Sequence, residues 1–183
     1  MNEKTHRVML NITKILSNES KCKKLQVGSL IVKDRHIISS GVNGSLKSYD
    51  NNCEEEFIKC PKCDKLIKTK LFKTNETLFD MLSYTCNCGC KLSYEKSEFN
   101  NRTILKTKSH IVHAEINALL SAAKNGISVD NSSMYVSHLP CINCAKSIIT
   151  AGINEVYFSE MYGKSDSIDL FKNNNVKIKQ LED

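Results

Sequence analysis

Met134-Tyr135-Val136-Ser137-His138-Leu139-Pro140-Cys141-Ile142-Asn143-Cys144-Ala145-Lys146-Ser147-Ile148-Ile149-Thr150-Ala151-Gly152 reads as a strand that runs directly into a helix. Met134-Tyr135-Val136 leads a short strand that ends at Ser137, and residues 141–151 carry a helical pattern that Gly152 stops. The same alternation continues on both sides. Upstream, residues 113–125 place Ile116, Leu119, Leu120 and Ala123 on one helical face, with Gly126 as the terminator. Downstream come a strand at 156–158, a helix at 166–172 and a last strand at 176–180. Near the N-terminus, Val8, Met9, Ile12, Ile15 and Leu16 predict an amphipathic helix over 5–17. Residues 27–32 and 36–42 then predict a hairpin that turns at Lys33-Asp34-Arg35. Alternating strands and helices imply a largely parallel sheet with both faces covered, and the hairpin makes that sheet mixed. The expected fold is α/β, a three-layer α/β/α sandwich on five strands.

Between Asn43-Gly44 and Ile111 the composition changes. Residues 53–102 are polar, rich in lysine and cysteine, and lack a long periodic segment. They are expected to be an insert in a domain formed by 1–52 and 103–183. The net charge of +6 is mild, and Arg7, Arg35 and Arg102 are the only arginines. Such a balance suits an anionic small molecule better than a dedicated phosphate-backbone binder. No apolar stretch reaches the roughly 18 residues of a membrane helix, and the first eleven residues are too polar for a signal peptide. A cytoplasmic location follows as the expectation. In that reducing compartment the nine cysteines point to metal rather than disulfides.

Two short motifs carry the chemistry. His113-Ala114-Glu115 and Pro140-Cys141-Ile142-Asn143-Cys144 each open a predicted helix. One imidazole and two thiolates are three ligands, and a zinc ion held by three protein ligands keeps a fourth position for water. Helix N-termini favour thiolates, and proline fits a first helical turn. Glu115, two residues beyond His113, can lie beside the metal without ligating it and shuttle protons.

This H-x-E and P-C-x-x-C pair resembles the zinc deaminase signature. Val27-Gly28-Ser29-Leu30-Ile31-Val32, Gly41-Val42-Asn43-Gly44 and His113-Ala114-Glu115-Ile116-Asn117-Ala118 are similar to blocks of the deoxycytidylate (dCMP) deaminase family, most of all its phage and viral branch. The likeness covers about residues 8–52 and 111–180. It implies hydrolysis of dCMP to dUMP and ammonia, with zinc on His113, Cys141 and Cys144 and Glu115 as the proton shuttle. It also implies that Asn43 hydrogen-bonds the nucleotide, that Lys24 lies near the phosphate, and that Tyr162 closes over the substrate. A homo-oligomer, often a hexamer, and dCTP/dTTP effectors with Mg2+ belong to the same set of expectations. Two departures stand out: Val42 replaces the usual Tyr, and Ser45-Leu46-Lys47 lacks the expected Pro and Gly.

Cys60-Pro61-Lys62-Cys63 and Cys86-Asn87-Cys88-Gly89-Cys90 resemble the two knuckles of a zinc ribbon. An insert of about fifty residues has too little apolar surface to fold on its core alone, so a structural zinc is expected. The expected ligands are Cys60, Cys63, Cys86 and Cys88, with Cys90 as a substitute. Cys22, Cys53 and His110 are left over, and the resemblance allows a further metal site drawing on them. Two other readings compete with the nucleotide deaminase. One is a deaminase that acts on a base within tRNA or single-stranded DNA; few aromatics in the insert argue against it. The other is a non-catalytic zinc module that binds nucleic acid or protein, which would have no use for Glu115.

Overall fold

The computed structural model describes residues 1–74, 81–163 and 165–181. The chain forms two compact units, residues 1–51 with 110–183, and residues 52–109. The main elements of the first unit are α1 (Glu3–Ser17), β1 (Gly28–Lys33), β2 (His36–Val42), α2 (Ala114–Lys124), β3 (Ser133–His138), α3 (Ile142–Thr150), β4 (Glu155–Glu160), α4 (Asp166–Asn173) and β5 (Lys177–Gln180), with a short antiparallel pair of Gly44–Ser45 and Ile111–Val112 besides. The five strands make one sheet in the order β5-β4-β3-β1-β2. β1 is antiparallel to both β2 and β3, whereas β3, β4 and β5 run parallel. The mixed five-stranded sandwich expected from the sequence is the observed architecture.

Local chemistry explains the boundaries. Asn2 caps α1 by accepting the Thr5 amide on Oδ1 at 2.9 Å. Asp34 and Arg35 both have positive φ, 49° and 70°, as a two-residue hairpin turn between twisted strands requires. One face of the sheet packs Ile31, Met134, Val136 and Val156 against Ala118, Cys144, Ile148 and Phe171 from α2, α3 and α4. The opposite face packs Leu30, Tyr135 and Tyr157 against Leu10 of α1.

His6 of α1 is buried in this second layer. Its Nδ1 lies 2.7 Å from the Tyr135 hydroxyl, and its ring stacks on Tyr157 with centroids 4.1 Å apart. Burial pulls its pKa below the usual imidazole value; the Met1 ammonium and Lys177 act the same way, and Glu155 opposes them. A depressed folded-state pKa means that the unfolded chain binds more protons in acid. The stability from neutral His6 is therefore present above the unfolded value of about 6.5 and lost as pH falls below it. Thermal unfolding should show a steeper loss of Tm from neutral to mildly acidic pH for the wild type than for His6→Gln. Identical slopes would remove His6 as the cause.

The second unit contains more β structure than its composition suggests. Leu66–Lys68, Glu54–Lys59 and Ile104–Thr107 form one antiparallel sheet, and Lys73–Thr74, Met81–Thr85 and Lys91–Glu95 form another. Ile58, Ile67, Phe72, Leu92, Tyr94 and Phe99 make its small core. Among the described residues, regular structure thus begins at Glu54, inside the stretch that the sequence reading left without periodic elements. These strands are too short to show a periodic signal.

Candidate active site

The sheet topology gathers the expected site residues at one edge. β3 and β4 are parallel, so the turns after them, which carry Cys141 and Tyr162, leave the same edge. β1 begins at that edge, preceded by Lys24, and β2 ends there, followed by Asn43. α2 is tied to this edge by Asn117 Nδ2, which donates to the Val42 carbonyl at 2.7 Å. Ligands commonly bind at the carboxyl ends of parallel strands.

His113 is the N-cap residue of α2, and Cys141 is that of α3. His113 Nδ1 lies 3.7 Å from Cys141 Sγ and 3.4 Å from Cys144 Sγ. Tetrahedral zinc with ordinary bond lengths separates a nitrogen and a sulfur ligand by about 3.5 Å, so the donor set fits the ion. His113 is exposed, Cys141 is half-buried and Cys144 is buried. The hydrogen bond from Cys144, together with His113, brings the Cys141 thiol down to about 3, while the same pairing and burial push Cys144 far up. Zinc takes both sulfurs as thiolates, so metal binding releases whatever thiol protons the pair carries.

Glu115 occupies the first turn of α2 with 4 % of its surface exposed. Burial raises its pKa; its own backbone amide and His113 counteract this, and its carboxyl contacts Cys144. A divalent cation beside it acts in the lowering direction too. A carboxyl balanced between these influences can both take and give a proton.

The family model for the cytidine and deoxycytidylate deaminase zinc-binding region matches residues 2–160. The chain belongs to this family. The deoxycytidylate deaminase of Enterobacteria phage T4 is 31 % identical over 172 residues, covering 93 % of this chain and 86 % of that protein. That of phage T2 is 30 % identical over 177 residues, covering 93 % and 88 %. The fold is shared with the dCMP deaminase of cyanophage S-TIM5, solved with dCMP and dUMP: TM-score 0.69, 24 % identity, 99 % of each chain covered.

In this family member the Asn43 carboxamide braces the loop before β1. Oδ1 accepts the Val27 amide and Nδ2 donates to the Leu25 carbonyl, both at 2.8 Å. Ser20 Oγ donates to the Asn43 carbonyl at 2.8 Å, and Gln26 Nε2 to the Ser20 carbonyl at 2.6 Å. No local motif marks Ser20 or Gln26 for this role. The braced loop, with Lys21, Lys23 and Lys24, lines an open cleft of about 800 Å3. Tyr162 is 45 % exposed and packs edge-on against His138.

In the second unit, Cys60, Cys63, Cys86 and Cys88 converge. Cys60 and Cys88 are 3.7 Å apart, as are Cys63 and Cys86. Four thiolates around tetrahedral zinc would be about 3.8 Å apart. Burial raises the Cys60 pKa, but the amides of Cys63 and Lys62 outweigh it and bring the thiol to about 6. Cys90 Sγ faces the Lys91 carbonyl at 3.9 Å and also lies beside the Cys60 thiol, outside the group of four. Of the left-over residues, Cys22 and Cys53 are buried. His110 stacks on Tyr49 at 4.0 Å, and its Nε2 is buried without a hydrogen-bond partner.

One glycine of β2 controls the position of α2. A Cβ on Gly41 would collide with the Ala114 carbonyl oxygen and the Ala118 amide, whereas one on Gly44 meets nothing within 4 Å. Gly41→Ala must push α2 outward and carry His113 and Glu115 away from the two cysteines. Displacements of this kind cost about 10^2-fold in rate, so Gly41→Ala should lose at least that much activity, with zinc content reduced. Gly44→Ala should behave like the wild type. Near-normal zinc and turnover in Gly41→Ala would contradict this packing.

Proposed function

We propose that this chain catalyses the zinc-dependent hydrolytic deamination of dCMP to dUMP and ammonia, with His113, Cys141 and Cys144 holding the metal. The observation that carries the reading is the buried Glu115 beside a three-ligand donor set at the sheet edge. Zinc held there would supply a Lewis acid that brings the pKa of water from about 15.7 towards about 7. Glu115 accepts a proton from the attacking water and delivers it to the ring nitrogen beside the reacting carbon; it then takes the proton of the newly added hydroxyl and passes it to the amino group, which leaves as ammonia while the carbonyl forms. Lys24 provides positive charge for the 5′-phosphate. Asn43 has one N–H and one lone pair beyond its backbone bonds to offer the nucleotide. Tyr162 closes over the base.

The second unit, in this proposal, binds a structural zinc through Cys60, Cys63, Cys86 and Cys88. Homo-oligomer assembly, dCTP/dTTP control with Mg2+, and a cytoplasmic location complete the reading. Among the described residues, no helix is long and apolar enough to cross a membrane. The deciding assay follows ultraviolet absorbance with dCMP, CMP, deoxycytidine and a short cytosine-containing oligonucleotide. Turnover of dCMP is expected. Turnover of the oligonucleotide without dCMP would replace the substrate assignment with a polynucleotide.

A further inference from the structure

The ends of β3 and β4 carry a run of polar contacts that the catalytic chemistry leaves unused. The Gly28 amide donates to Ser137 Oγ at 3.2 Å. Ser137 Oγ lies 3.0 Å from His138 Nδ1, and His138 Nε2 lies 3.2 Å from Glu160 Oε2. Ser137 is 2 % exposed, so its hydroxyl proton needs an acceptor inside the protein. Nδ1 of His138 is that acceptor, and Nε2–H then donates to the Glu160 carboxylate. Every donor and acceptor in the run is matched by one state, the neutral imidazole protonated on Nε2. Burial lowers the His138 pKa and Lys14 adds to this, while Glu160 opposes it.

His138 is the last residue of β3, three before Cys141, and Glu160 is the last of β4, two before Tyr162. The Tyr162 ring meets the His138 ring at 88°, with centroids 6.3 Å apart. We propose that His138 is a positioning residue: its imidazole links the two strand ends and is the surface on which Tyr162 rests above the nucleotide. The proposal rests on the dCMP deaminase reading. The strand pairing around it is backbone-based, with the Leu139 amide bonded to the Glu160 carbonyl at 2.8 Å, so the sheet survives removal of the ring. What changes is the turn from Met161 to Gly163, where Gly163 has φ of 69°.

His138→Ala, Tyr162→Leu and the double variant would be assayed on dCMP for KM and kcat, alongside zinc content and Tm. Binding of dCMP would also be measured by calorimetry in a zinc-loaded Glu115→Gln background. His138→Ala should raise KM and Kd about tenfold, with kcat within about twofold and zinc content and Tm near wild type. The double variant should be no worse than the poorer single, because the two rings act as one unit. His138→Gln, which keeps a donor for Glu160, should recover part of the loss. An unchanged KM, fully additive effects, or a KM change matched by zinc loss and a lower Tm would overturn the proposal. Those results with an active wild type would leave the deaminase reading intact; a wild type inactive on dCMP would overturn both.

Discussion

Glu115→Gln should lower kcat on dCMP by about 10^3- to 10^4-fold while zinc content stays near the wild-type level, the upper range for loss of a positioned acid–base group. The separation of the two effects follows from geometry. Glu115 is outside the donor set of His113, Cys141 and Cys144, so removing its charge leaves the metal's ligands in place. The glutamine fits the same buried space and still hydrogen-bonds, but it cannot accept and release a proton. Elemental analysis and steady-state kinetics on the same sample check both halves. Residual turnover within tenfold of the wild type would remove Glu115 as the shuttle, and loss of zinc would make it a ligand.

The second large effect belongs to the insert. Cys60→Ser should reduce zinc by one ion per chain and open residues 52–109 to limited proteolysis. The second unit has a core of only a few large side chains. A structural zinc contributes about 10–16 kcal/mol of apparent folding free energy, more than such a core supplies. Cys90→Ser serves as the control, because its sulfur, although beside Cys60, lies outside the four thiols that converge. It should retain both zinc and protease resistance. Equal metal content in Cys60→Ser and wild type would show that the four thiols stand together without a metal.

Legibility in the sequence differed between residues. His113, Glu115, Cys141 and Cys144 were visible as candidates because the role proposed for them depends on spacing within a few residues of a helix start. Asn43 was visible as a motif position, but its two bonds to Leu25 and Val27 were not. Those bonds depend on how a loop folds back across the sheet edge. The spacing of Cys60, Cys63, Cys86, Cys88 and Cys90 marked a knuckle pair but not which three-dimensional group the thiols form; the convergence of the first four depends on the backbone path of the second knuckle.

The amino-acid order alone determined the strand–helix alternation, the five-stranded mixed sheet and the chemical identity of the two cysteine-bearing clusters. Each is written in local pattern: apolar period, glycine stops, ligand spacing. Tertiary structure alone decided the contact of Gly41 with α2, the burial of His6 against two tyrosines, and the run from Gly28 through Ser137 and His138 to Glu160. These join residues far apart in the chain, and only strand register and side-chain direction bring such residues within reach of one another.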